Sequence, residues 1–142
     1  MTALIDRLTE QLGYPLLDQA SFDDFIQGQP FSVLFFTEDP ARFPESLDVA
    51  VILPELLKQF PQLTPAVISR DAERSLQGRY NFTVWPTLVM LKQGRYLGAI
   101  SKVQDWDLYL RDIESLLQRE PGRNPGIGIP VVVNPDQTQP CG

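Results

Sequence analysis

The sequence contains no histidine, and its single cysteine, Cys141, stands next to the last of 142 residues. Those two shortages exclude a good deal. Zinc, copper and haem sites of the usual ligand types need imidazole or thiolate donors, so no metal or cofactor is expected. A dithiol relay needs a second thiol in reach. Nucleophile machinery in which Ser or Cys hands its proton to histidine is ruled out as well. Carboxylate-only catalysis would need two acids converging in a cleft, and no pattern here points to such a pair. The chain reads as a non-enzyme. Long apolar runs are also missing, so no segment is expected to insert into a bilayer. The opening MTALIDRLTEQLGY carries Asp6 and Glu10 and lacks the basic and apolar regions of a secretory signal. No Arg-Arg pair occurs anywhere, so the chain has no twin-arginine signal of its own, and a cytoplasmic location is the expectation.

What is present is ordinary for one globular domain: 43% hydrophobic, 21% charged and 10% aromatic residues. The net charge of −6 disfavours nucleic acid or an anionic membrane as partner and favours basic ones. Acidity of this size is also a common route to solubility.

Periodicity divides the chain into alternating elements. Leu4, Ile5, Leu8 and Leu12 fall at helical spacing before a stop at Gly13, and Tyr14 to Leu17 suit a short strand. DQASFDDFIQG reads as a helix with Ser21 as N-cap and Phe22, Phe25 and Ile26 on one face. FSVLFFT (31–37) is too short and too continuously apolar for anything but a buried strand. Residues 38–48 read as a loop, VAVILPELLKQF as a helix in which Pro54 either makes a kink or lies in the first turn. TPAVISRD (64–71) is a second buried strand, and AERSLQGRY gives one or two helical turns. Strands over 87–91 and 96–100 flank a Gln93-Gly94 turn. A last helix follows Asp105 as N-cap, with Trp106, Tyr109, Leu110, Ile113, Leu116 and Leu117 on its apolar face.

The tail, 121–142, holds five prolines and four glycines and is expected to be mobile beyond a domain spanning 1–120. Within it IGIPVVV (127–133) reads as a segment packed loosely on the domain, or as a strand that pairs with a sheet edge or a partner. Proline limits the second option.

The order α, β, α, β, α, β, α, β, β, α resembles the thioredoxin arrangement: an α/β fold with a mixed central sheet flanked by helices. From Tyr80 to Gly94 the spacing is close to that of thioredoxins, with Trp85-Pro86-Thr87 at the place of their cis-proline loop and Asn81 where a left-handed residue is needed. The redox cysteines of that fold would fall within 38–48. Here the stretch holds Glu38, Asp39, Glu45 and Asp48 against Arg42 alone. Thiolates are stabilised by positive surroundings, so these charges are opposed to thiol chemistry. What the arrangement retains is a groove for an extended peptide beside Pro86. Val84, Trp85 and Phe43 are its candidate apolar contacts, with Glu38, Asp39, Glu45 and Asp48 as an acidic lip. Each has a structural alternative: Trp85 as a core aromatic, Phe43 as a loop anchor, the acids as a solvated rim.

EDPARFPES after a buried strand, PELLKQFP on the following helix, WPTLVML and YLGAI together resemble the HyaE/HoxO/HupG accessory proteins of NiFe-hydrogenase maturation, over about residues 10 to 119. The most specific part is Asp39, Pro40, Arg42, Pro44 and Glu45 combined with a P-T-L-V strand that has no cysteine partner. The resemblance implies a thioredoxin-like protein without the redox pair. It implies a chaperone that binds the hydrogenase small subunit precursor through its twin-arginine signal peptide. A basic and then apolar signal matches the acidic lip and aromatic floor. A second reading is a non-catalytic docking protein that binds other hydrogenase accessory proteins. A thioredoxin-type reductase fails on the cysteine count.

Overall fold

Phe31–Phe36 (β2) and Thr87–Lys92 (β4) alternate between two apolar cores, which is why both strands read as unbroken apolar runs. Val33, Phe35, Leu88 and Met90 point to one face; Leu34, Phe36, Val89 and Leu91 point to the other. The computed structural model describes residues 3–123 and 125. The remaining strands are β1 (Leu16–Leu17), β3 (Thr64–Ile68) and β5 (Arg95–Ser101). They form one sheet of order β1-β3-β2-β4-β5. The β1–β3 and β3–β2 pairs are parallel; the β2–β4 and β4–β5 pairs are antiparallel.

Helices cover both faces. Ala3–Asp6 (α1), which continues as a π-helical turn over Arg7–Gln11, shares one face with Glu45–Gln59 (α3) and Trp106–Leu117 (α5). Gln19–Gln27 (α2) and Arg70–Tyr80 (α4) cover the other, through Phe22, Ile26, Ala72, Leu76 and Tyr80. The mixed sheet and two helical layers are the thioredoxin-like arrangement expected from the element order. Asn81 ends α4 in the left-handed region (φ 53°), and Gln93 and Gly94 turn the β4–β5 hairpin with φ of 50° and 80°.

Several local readings need correction. Asp18, not Ser21, is the N-cap of α2: its carboxylate accepts the Ser21 amide N–H at 2.9 Å, and the Ser21 hydroxyl accepts the Asp18 amide N–H at 3.1 Å. That reciprocal pair is a capping box in which serine is the distal member. Helix α3 begins at Glu45, so the loop after β2 ends four residues earlier than 48, and Pro54 lies well inside the helix. Strand β3 stops at Ile68, and α4 runs for 11 residues, about three turns, rather than one or two. Ile5 and Leu8 are buried, but Leu4 is exposed on α1 and Leu12, the C-cap of the π turn, is exposed where the helix ends. Trp106, read as part of the apolar face of α5, is 40% exposed at its first position. Asp105 stands at the N-cap but makes no side-chain cap bond.

The expectations for IGIPVVV and Cys141 lie outside the described residues. After α5 the chain returns to the outer edge of the sheet, where the Gly122 amide donates to the Tyr96 carbonyl at 2.8 Å. No helix among the described residues is long and apolar enough to cross a membrane.

Candidate functional site

The cleft lies where β2 hands over to α3 and where the chain enters β4. Trp85-Pro86 is a cis peptide bond. The loop that carries it is tied down on both sides: the Thr87 hydroxyl donates to the Val84 carbonyl, and the Lys102 amide donates to the Pro86 carbonyl at 2.7 Å. The facing loop is equally fixed. The Arg42 and Phe43 amides both donate to the Asp39 carbonyl at 2.9 Å, the Ala41 amide donates to the Asp39 carboxylate at 3.0 Å, and buried Ser46 donates its hydroxyl to the Thr37 carbonyl at 2.7 Å. Proline and the Asp39 turn chemistry make this a rigid bend rather than a free loop.

Aromatic rings run from the core to the cleft. Phe36 meets Phe82 at 4.8 Å between centroids, Phe82 meets Trp85 edge-on at 5.5 Å, and Trp85 meets Phe43 at 5.5 Å. Phe43 in turn lies beneath the Arg42 guanidinium, 5.4 Å from its ring centre. Phe43 and Trp85, with Pro44, Thr83 and exposed Val84, line a cleft of about 280 Å3. Its charged rim is Glu45 together with Arg42 and Lys102. Among the described residues the Trp85 backbone makes no backbone–backbone hydrogen bond. The half-buried residue at the floor of the cleft therefore offers a peptide unit that no other backbone group pairs.

The structure brings Phe43, Glu45, Val84 and Trp85 together, with Pro86 directly behind them, and separates the other named acids. Glu38 turns away from the cleft. Its carboxylate pairs with Arg70 of α4 at 3.3 Å and accepts the Asp39 amide. Asp39 spends its carboxylate on the Ala41 amide. Asp48 and Glu45 are exposed on the first turn of α3, where they complement the helix dipole. Burial raises the Tyr109 hydroxyl above its usual range, and the charges of Glu45 and Asp48 add to that shift. The rim of the cleft is thus mixed rather than acidic: Arg42, the one base counted in the loop, and Lys102, which the sequence reading did not include, stand beside Glu45.

That reading also missed Glu73. It is buried, 4% exposed, on the inner side of α4. Its carboxylate accepts the Glu38 amide N–H at 2.9 and 3.2 Å and the Trp85 indole N–H at 3.2 Å. Desolvation pushes its carboxyl up from 4.5 to about 7, against the opposing effects of the Glu38 amide and nearby Arg70. A signal was available: Glu73 falls in helical register with Leu76 and Tyr80, an acid on an otherwise apolar face.

The family model "Hydrogenase-1 expression protein HyaE" matches residues 4–109. The chain belongs to the HyaE family. Among curated relatives, a hydrogenase expression/formation protein HoxO from Azotobacter vinelandii is 61% identical over 117 residues, covering 82% of this chain and 79% of the relative. A HupG protein of the same description from Rhizobium leguminosarum bv. viciae is 40% identical over 121 residues, 82% of this chain and 81% of the relative. Among solved structures, a HupG hydrogenase expression/formation protein from Rhodopseudomonas palustris aligns with 45% identity and a TM-score of 0.51, over 72% of this chain and 94% of that one. Mitochondrial thioredoxin 3 from Saccharomyces cerevisiae aligns with a TM-score of 0.62 at 18% identity, over 73% of this chain and 96% of that one, and shows the fold alone. The HyaE fold is therefore a thioredoxin-like fold, and this chain has a single cysteine, Cys141, outside the described residues.

Proposed function

We propose that the chain is a non-redox chaperone in NiFe-hydrogenase maturation. It acts in the cytoplasm and binds the twin-arginine signal peptide of the hydrogenase small subunit precursor before export. The observation that carries this reading is the floor of the cleft: a half-buried tryptophan with an open peptide unit, flanked by Phe43 and Val84. An unpaired backbone beside an apolar depression suits an extended segment that adds its main chain to the edge and drops one side chain into the pocket. At about 280 Å3 the cleft falls just below the usual small-molecule range of about 300–1,000 Å3, which favours one side chain of a longer ligand. The apolar part of a signal peptide meets Trp85, Phe43 and Val84. Its arginines meet Glu45 and Asp48 on the first turn of α3, and Arg42 and Lys102 restrict where along the rim a cation settles. Membership in a family named for hydrogenase expression and formation supports the maturation context.

The test is a pull-down from hydrogenase-expressing cells with wild-type chain and with Val84→Glu, which places a charge at the mouth of the cleft. The small subunit precursor should be recovered with the wild type, lost when its signal is removed, and reduced with Val84→Glu. Recovery of other accessory proteins without any precursor would replace this reading with that of a docking protein.

A further inference from the structure

Glu73 belongs to neither wall of the cleft, yet it holds both. One of its donors, the Glu38 amide, comes from the loop after β2; the other, the Trp85 indole, comes from the cis-proline loop; the carboxylate itself rides on α4. Glu38 sits in the left-handed region at φ 51°, an unfavourable conformation for a residue with a side chain, and the bond to Glu73 fixes its amide there. Burying a carboxylate is costly unless its lone pairs are used, and hydrogen bonds to an ionised acceptor are about twice as strong as neutral ones. Among the described residues Glu73 makes no ion pair of its own, and Arg70 is engaged by Glu38. Nothing in the packing alone calls for a charge at this position, where leucine would extend the stripe of Ala72, Leu76 and Tyr80.

We propose that Glu73 is the positioning residue of the groove: its carboxylate sets the orientation of the Trp85 ring, and the affinity of the groove for an extended peptide follows from that. The proposal rests on the peptide reading of the cleft given above. An ionised carboxylate accepts the indole and the amide together, while the protonated acid gives up part of that capacity. The groove is therefore formed when Glu73 is charged and loosened when it is neutral. With the carboxyl at about 7, the exchange falls in the physiological range. The charged groups that face it are Glu38 from the β2–α3 loop and Arg70 and Arg74 from α4; Gln77 and Trp85 complete the small depression and do not titrate.

The experiment follows the two tryptophan indole N–H resonances of the full chain by NMR from pH 5.5 to 8.5. A synthetic twin-arginine signal peptide is titrated at pH 6 and pH 8. The Trp85 resonance should titrate with a midpoint near 7, and that of exposed Trp106 should not. Glu73→Gln should abolish the titration. Peptide affinity should be about tenfold weaker at pH 6 than at pH 8, the ratio of the ionised fractions, and Glu73→Gln should remove that difference. A Trp85 resonance indifferent to pH overturns the proposal, and this wild-type result decides it even if Glu73→Gln fails to fold. So does a titration unchanged in Glu73→Gln, or an affinity that ignores both pH and the substitution. If the indole titrates as expected and the peptide does not bind at all, the positioning of Trp85 stands and the peptide reading of the cleft falls.

Discussion

Replacing Glu73 by glutamine changes the pH dependence of stability in a way that can be worked out. The folded carboxyl titrates at about 7 rather than 4.5, so between those values the fold holds a proton that the unfolded chain has released. Proton uptake by the folded state favours folding. The contribution is fully present below pH 4.5 and is lost as pH rises through 7. The stability of wild type relative to Glu73→Gln should therefore fall by about 2.5 kcal/mol between pH 5 and pH 8. Taking the difference between the two proteins isolates the effect of position 73 from the pH dependence they share. Urea unfolding at half-unit pH steps, with equal m-values in the two proteins, measures it. A difference that stays flat over this range would show that Glu73 titrates as an ordinary carboxyl, and the reading of it as a desolvated group would be wrong. The sign is informative: ionisation costs the fold stability while improving the proposed groove, the trade expected of a residue kept for function.

Other outcomes follow from the same geometry. Trp85→Phe keeps an aromatic ring, though a smaller one, and removes the indole donor to Glu73; thermal melts should show a loss of about 1.5–3 kcal/mol at pH 8, where that acceptor is charged. Gly98→Ala should cost about 1–3 kcal/mol in urea, because a Cβ there would stand 2.5 Å from Leu116 Cδ2 in the β5–α5 contact. Ser46→Ala removes the donor to the Thr37 carbonyl and should lower stability by about 1–3 kcal/mol by the same assay, with faster hydrogen exchange in the loop after β2. The purified chain should show no insulin-reducing activity, and Cys141→Ser should leave that result unchanged; activity in either form would contradict the non-redox reading.

The fold was legible because its strongest signals are local. The alternation hidden in FSVLFF and TLVMLK, the Gln93-Gly94 turn and Asn81 each carry their own backbone preference. Boundaries were less legible. Proline inside α3 argued for a late start, yet tertiary packing of Val49, Leu53 and Leu56 holds the helix through Pro54. Of the lining of the candidate cleft, Trp85 and Val84 were readable from their position beside Pro86, and Phe43 from its place in the loop after β2. The acidic lip was not, because charge counted along a loop ignores where the side chains turn: Glu38 goes to Arg70 and Asp39 to its own turn. Arg42 and Lys102 converge on the cleft from segments 60 residues apart in sequence, and Glu73 reaches it across 12 residues to Trp85. Convergence of that kind is a product of topology, and no local pattern announces it.

The central claim, that the cleft beside Pro86 receives a twin-arginine signal peptide, is tested most directly by titrating labelled protein with that peptide and mapping amide shifts by NMR. Shifts should concentrate at 42–48, 83–86 and Lys102. They should weaken when the two arginines of the peptide are replaced, and they should shrink with added salt. Shifts confined to the far face of the sheet, on α2 and β1, or binding indifferent to the arginines, would contradict the account.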